Sequence, residues 1–402
     1  MSESKSFENN KPEKSKELIP RIRTNSHYRR EISHKFEKIT KVNSLTWNCQ
    51  PHIKQYVEWA YDDDNKEIEE KLDLEEIVKL IKKAKLKGII AEDVMRQARF
   101  KVIYERREFG KSMNVFMEDN LLVIYKKIIE NKSNSNSTIL NLLRMLVYTC
   151  SGSQVKIKKI IKAKLISSLL RALRYNNGPI IEQIMLILAE ISLVNMTARD
   201  MILNVRFLKW IDNFLDDEIQ LTHDVVKRGD KAFGNVLLAT SWAILCFCKQ
   251  KDKKMFSFIE KLIISRFGQI ADYSHDRIRG NLLHALFLAT IKFKNENENN
   301  HLPSRTINMI SNEFIMKQLI GLITQDDNDS VLYSILILSN IISSGEMFAQ
   351  KAIKNGLLIN LKNALDHLNE DVQQEAALIL ANITSGNCIN IESVIESNLF
   401  SQ

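Results

Sequence analysis

The side chains of this chain most able to do chemistry are an indole, two amides and a basic cluster, and the chemistry is recognition. Trp242, Asn340 and Asn382 stand in long apolar stretches. An indole face attracts an ammonium group by cation–π contact and makes a slot for an alkyl stem. An Asn amide both donates to and accepts from a peptide backbone. The basic cluster is Arg29, Arg30, Lys35, Lys38 and Lys41, arranged around Ile32, Phe36 and Ile39. That apolar spacing is helical, so these cations ride on a basic amphipathic helix. On residue type alone, Trp242 also suits a packed core, the two amides could bridge neighbouring helices, and the five cations suit a solvated face.

Catalytic chemistry is not indicated. The sequence has no GxGxxG, GxxxxGK[ST], HExxH or GxSxG motif, and its eight His are dispersed. His223, Asp224 and His284 are isolated, with no nucleophile and base together and no phosphate cradle. The expectation is a non-enzyme without a cofactor. Cys49, Cys150, Cys246, Cys248 and Cys388 form no CxxC pair, and Cys246 and Cys248 point to different faces of a helix. Reduced structural thiols are expected and no metal site. Arg228-Gly229-Asp230 reads as a chance tripeptide in a loop.

The elements that must position these groups repeat. An apolar helix start recurs at Leu121, Leu165, Phe207, Leu262, Phe314, Leu357 and Leu399, about every 42 residues, each followed by a second amphipathic stretch and a polar turn. Two intervals are longer, 55 and 52 residues, and are assigned to surface loops at Asp216 to Ala232 and Lys294 to Asn300. A helical period of this length means an armadillo or HEAT-type solenoid, whose surfaces bind rather than catalyse. The expected fold is all-α: a right-handed superhelical armadillo-repeat solenoid of about seven repeats with a basic N-terminal helix. Only Pro179 and Pro303 interrupt the chain after Asp73, in keeping with long helices.

The final repeat shows the packing rule. Leu357, Leu361, Ala364, Leu365 and Leu368 make one stripe. After Asn369-Glu370-Asp371, Val372, Ala376, Ile379, Leu380 and Ile383 make another. The opposite face of that second helix carries Glu375, Leu378, Asn382 and Gly386, which a stacked solenoid turns toward its inner groove. Beyond the array, Leu399 and Phe400 are expected to expose an apolar end.

Four segments follow. Residues 1–19 are polar and expected to be disordered, 20–47 hold the basic helix, 48–72 form a linker containing Asp62-Asp63-Asp64, and 73–402 make the array, with Asp73 as an N-cap. No apolar run reaches the 18 or so residues that span a bilayer, so a soluble intracellular protein is expected. Of the net charge of +8, the leader to Trp47 supplies +5. Such a bias favours acidic partners without selecting among them, and direct nucleic-acid binding is disfavoured because aromatic interleaving is missing.

At the helix ends the likeness becomes specific. Gln374-Glu375-Ala376-Ala377-Leu378-Ile379-Leu380-Ala381-Asn382-Ile383-Thr384-Ser385-Gly386-Asn387 resembles the groove helix of an importin-α repeat, roughly EAxWxxxNITxGN, with Leu378 at the tryptophan position and Asn382 at the asparagine. Ala239 to Lys249 looks like the fourth repeat, with Trp242 retained and Cys246 in place of asparagine. Arg199-Asp200-Met201-Ile202-Leu203 is similar to the segment ending the third repeat, and Ser151-Gly152-Ser153-Gln154 to the end of the second. Arg29-Arg30-Glu31-Ile32-Ser33 with Phe36 and Lys38 resembles the core of the importin-β-binding helix.

The resemblance implies a nuclear import adaptor that shuttles between cytoplasm and nucleus. Its partners would be importin-β, held through the basic helix, and proteins bearing basic nuclear localisation signals, held in the groove by Trp242, Asn340 and Asn382. The pattern is broken in the second and third repeats, which have Arg144 with Tyr148 and Leu186 with Glu190 where the family has Trp with Asn. Val194 replaces an acidic lysine partner, and Leu336 stands where Arg is usual. An Arg in a lysine slot repels basic cargo. The alternative is an armadillo scaffold that kept the fold and lost signal-peptide recognition.

Overall fold

The computed structural model describes residues 72–106, 112–225, 231–249, 253–291, 305–397 and 399. Side chains are described throughout these except at 104–106, 112–113, 217–225, 231–235, 253–254 and 256. The chain divides into Met1–Asp64 and Asn65–Gln402, and the described residues all belong to the second unit.

Every regular element among the described residues is helical. The first pair is α1 (Leu74–Lys83) and α2 (Glu92–Arg106). Triplets follow: α3 (Ser112–Val115), α4 (Asp119–Glu130) and α5 (Asn136–Cys150), then α6 (Gln154–Lys162), α7 (Ile166–Ala172) and α8 (Gly178–Val194). The fourth repeat is α9 (Met196–Ile202), α10 (Val205–Val225) and α11 (Lys231–Cys248), and the fifth is α12 (Lys253–Leu262), α13 (Phe267–Ala271) and α14 (Asp276–Thr290). Next come α15 (Arg305–Ile310), α16 (Glu313–Leu322) and α17 (Asn328–Ile342), then α18 (Glu346–Lys354), α19 (Leu357–Leu365) and α20 (Glu370–Thr384). α21 (Cys388–Glu396) lies beyond the seventh repeat.

Local sequence fixes these boundaries. Asp73 caps α1 by accepting from the Glu76 amide at 2.7 Å, as its position predicts. Ser135, Asn177, Asp327 and Asn369 cap the third helices α5, α8, α17 and α20 in the same manner. Ser153, Asn195 and Asn387 cap the first helices α6, α9 and α21. Each such cap stabilises its helix by about 1 kcal/mol. Pro179 lies in the first turn of α8, where its missing amide hydrogen costs nothing.

Stacking then builds the solenoid. The third helices pack in a continuous series, α2 on α5, α5 on α8, α8 on α11, α11 on α14, α14 on α17 and α17 on α20. Second helices stack beside them, α1 on α4 on α7 and α13 on α16 on α19. Ile139, Leu142, Ile184, Leu188, Ile244, Leu283, Ile335 and Ile379 are wholly enclosed between these layers.

Five sequence expectations are corrected. Leu262 is buried but closes α12, and the second helix of its repeat begins at Phe267 after a 3-10 turn, Ile264–Arg266. Phe314 does begin a second helix, yet it is 59% exposed, and Ile315 and Met316 fill the core in its place. The interval from Asp216 is not a loop at its start, because α10 continues to Val225. Leu368, assigned to an apolar stripe, is fully exposed. Leu399 is buried, and outward-facing apolar groups near there are instead Ile389 and Ile395 of α21. Residues 1–71, Arg228-Gly229-Asp230, the run 294–300 and Phe400 lie outside the described residues.

Candidate functional site

The third helices carry the candidate site. Arg144, Trp242, His284, Leu336 and Leu378 each lie six residues before the last residue of their helix, so they occupy one register along the stack. Four residues further on come Tyr148, Cys246, Leu288, Asn340 and Asn382, one helical turn away on the same face. On α8, Glu182, Leu186 and Glu190 share a stripe at the same spacing.

Trp242 lies on α11 and is 5% exposed. The Lys249 Nζ stands 5.7 Å from the centroid of its ring, so this indole already receives an ammonium group. Asn340 is half-buried, and its Nδ2 donates to Thr290 Oγ1 at 2.8 Å, tying α17 to α14. A second tie of this kind runs from Asn281 Nδ2 to Ser241 Oγ at 3.0 Å, joining α14 to α11. Asn382 is half-buried on α20, the neighbour of α17. Asn340 and Asn382 are thus on adjacent helices, with α14 separating them from Trp242. Arg29, Arg30, Lys35, Lys38 and Lys41 fall outside the described residues.

His284, isolated in the sequence, occupies the same register on α14 as Trp242 does on α11. Counting residues back from each helix end would have found it. Its ring stacks on Tyr333 of α17 with centroids 4.3 Å apart and planes 13° from parallel, and Phe287 flanks both. Burial and then the Lys249 charge depress its pKa to about 3, so the imidazole is neutral. Burial, with Asp329 nearby, pushes the Tyr333 phenol above its ordinary value.

The broken positions are electrostatically particular. Burial raises the Glu182 carboxyl to about 7, while the Arg144 charge on the neighbouring helix pulls it back down. Arg144 therefore interacts with a carboxyl from the next repeat. Glu190 is buried beside Cys150 and Cys246, whose thiols burial holds protonated, Cys246 at about 12. Neither thiol is activated for nucleophilic attack. Among the described residues, no three His, Cys, Asp or Glu side chains are grouped to hold a metal ion.

The other family-like phrases serve structure. Arg199 is entirely buried on α9, with its Nε and Nη2 both donating to Asp200 Oδ1. Gly152 adopts φ +71°, which places Ser153 to cap α6. Gly386 leaves no room for a Cβ against Asn390 and the Ile383 carbonyl, and Asn387 caps α21. Of that phrase, Leu378 and Asn382 belong to the register stripe.

No protein-family model matches the chain. No curated protein matches it. Solved structures do. A designed armadillo repeat protein in complex with the peptide (KR)4 aligns with a TM-score of 0.52 at 18% identity, covering 65% of this chain and 98% of that one. Computationally designed armadillo repeat proteins for modular peptide recognition align at the same TM-score and identity, over 65% and 99%. An engineered protein aligns at TM-score 0.56 and 15% identity, over 82% of this chain and 80% of its own. At these identities the likeness establishes the fold: an all-α armadillo-like repeat solenoid.

Proposed function

We propose that this chain is a non-enzymatic adaptor that binds an extended basic peptide along its third helices. In its finer form the proposal is nuclear import: cargo signals in the groove, importin-β on the basic helix of residues 20–47, and shuttling between cytoplasm and nucleus. The observation that carries the groove reading is Trp242 with an ammonium group already over its face. The same contact is what a cargo lysine would make, and Asn340 and Asn382 stand on helices further along the same stack. A neighbour of like fold is solved with (KR)4 bound, which supports a basic peptide as the ligand class.

A labelled (KR)4 peptide titrated against the intact chain and Trp242→Ala tests the groove. Loss of one aromatic cation site is expected to weaken binding by about fivefold to thirtyfold. Equal affinity removes Trp242 from the site. Pull-down with importin-β, comparing the intact chain with one lacking residues 1–47, tests the finer reading, and capture that persists without those residues overturns it. The scaffold alternative keeps one specific support, since the Asn340 amide is engaged by Thr290.

A further inference from the structure

The turns that join second to third helices follow one another along one edge of the array, away from the register stripe. In the first three the exposed charge is basic: Lys82, Lys83, Lys85 and Lys87 after α1, Lys127 and Lys132 around the end of α4, and Arg171 and Arg174 around α7. The acids here are fewer than the bases. Asp93 pairs with Arg96, Glu130 offsets Arg171, and Glu92 accepts from Ser135 and Ser137 while keeping its charge. A basic excess is left on Lys82, Lys83, Lys85, Lys87, Lys127, Lys132 and Arg174. The first turn is also held in place. Lys127 Nζ donates to the Lys85 carbonyl at 2.9 Å, Asn131 Nδ2 to the Lys87 carbonyl at 2.7 Å, and Gly88 at φ +65° packs against the Lys127 backbone.

Toward the other end the same edge changes sign. The turn between α13 and α14 is mixed, with Asp272 beside Arg277 and with Asp276 paired to Arg279. The next presents Asp326 and Asp329, with Asp327 turned inward onto Arg279, and the last carries Asp366, Glu370 and Asp371 against Lys362. Helix dipoles favour bases at a second helix's end and acids at a third helix's start in every turn, so they do not account for a reversal along the edge. The two outermost turns each present an unsupported leucine, Leu86 at 89% exposure and Leu368 at 100%.

We propose that this edge is a self-association surface, on which two copies pair antiparallel about a twofold axis. The basic turns of each copy then meet the acidic turns of the other, and Leu86 meets the partner's Leu368 twice. A different acidic partner would account only for the basic turns. A second copy accounts for both signs and both leucines, and the antiparallel arrangement closes at two. Because the pairs are exposed, the dimer is of modest affinity and weakens with salt.

Sedimentation velocity on the full chain tests this. At low salt a monomer–dimer equilibrium is expected, moving toward monomer as salt rises. Lys85→Glu, Lys87→Glu and Lys132→Glu together should raise the dimer Kd at least tenfold, as should Asp326→Lys, Asp366→Lys and Glu370→Lys together. Mixing the two reversed proteins should restore dimerisation, since an edge made more acidic at its basic end then faces one made more basic at its acidic end, and circular dichroism verifies that each is folded. The proposal is overturned by a monomer throughout the low-salt series, by assemblies beyond two, or by a reversed pair that fails to recombine. Salt-independent dimers indifferent to both reversals also overturn it and place association on Ile389 and Ile395 instead.

Discussion

The Glu182 carboxyl illustrates how one residue's surroundings set a measurable pH response. Burial penalises its charge more than Arg144 relieves it, which lifts its pKa from 4.5 to about 7. Between those values the folded chain keeps a proton the unfolded chain has released, so this group's contribution falls as pH rises through the window and is level above it. Glu182→Gln is expected to remove that slope and to stabilise the protein near pH 8 by roughly 3 kcal/mol. Urea midpoints near pH 5 and pH 8 read the change, and an unaltered slope would assign it to other groups. His284 acts with the opposite sign. Its native pKa of about 3 lies below the usual 6.5, so its contribution is complete above 6.5 and is lost as pH falls toward 3. His284→Phe, which keeps a ring against Tyr333, should flatten the acid limb of the same titration. A His284→Phe protein with the parent's acid limb would exclude the imidazole as its cause. Both environments depend on neighbouring helices, and that is why the sequence displayed the residue types but not their states. Asn340 is the same case: its amide could bind a peptide or bridge repeats, and the Thr290 hydroxyl that engages it is fifty positions away.

At the scale of elements, apolar periodicity was readable wherever a second helix was long enough to show a stripe. α19 and α20 follow the sequence pattern closely because Leu357, Leu361, Ala364, Val372, Ala376 and Ile379 recur at helical spacing and are all buried. The fifth repeat misled for a physical reason. Its second helix is only Phe267–Ala271, too short to display a period, so Leu262 on the preceding helix took its place in the count. What positions this short helix is Arg266, invisible to any apolar pattern. Its Nε donates to Asp216 Oδ1 and its Nη2 to Asp212 Oδ1, each at 2.7 Å, and Nη1 donates to the Lys261 carbonyl at 3.1 Å. These bonds clamp α10, which outruns its expected end, to the α12–α13 junction. Arg266→Ala should cost about 2 kcal/mol, because the two aspartates are half-exposed and can turn to water when the guanidinium is gone. Hydrogen exchange is expected to quicken in α12 and α13 first. An effect confined to α10 would mean that the clamp serves that helix alone.

For the array as a whole, stacking decides how damage spreads. Among the described third helices the main contacts run between neighbours in the series, so stability is close to a sum of repeat and interface contributions, and an outer repeat has one fewer such interface than an inner one. Ile187 on α8 and Ile379 on α20 are equally enclosed, at 1% and 0% exposure. Replacing either by Ala removes the same atoms and should cost 2–5 kcal/mol, about the usual figure for a buried Ile→Ala change. The consequences are nonetheless expected to differ. Ile379→Ala weakens a repeat held chiefly from one side, by α17, so amide protection should fall across α18 to α21 while α5 and α8 keep theirs. Ile187→Ala sits between α5 and α11 and interrupts the series, so protection should fall on both sides of it and the denaturant transition should broaden or split. Hydrogen-exchange mass spectrometry on both variants distinguishes the cases. Uniform loss of protection in both would mean that the repeats unfold as one cooperative block. Local loss in Ile379→Ala alone would show that the register stripe is held most firmly at α8 and α11, and that Asn382 lies on the part of it that opens first.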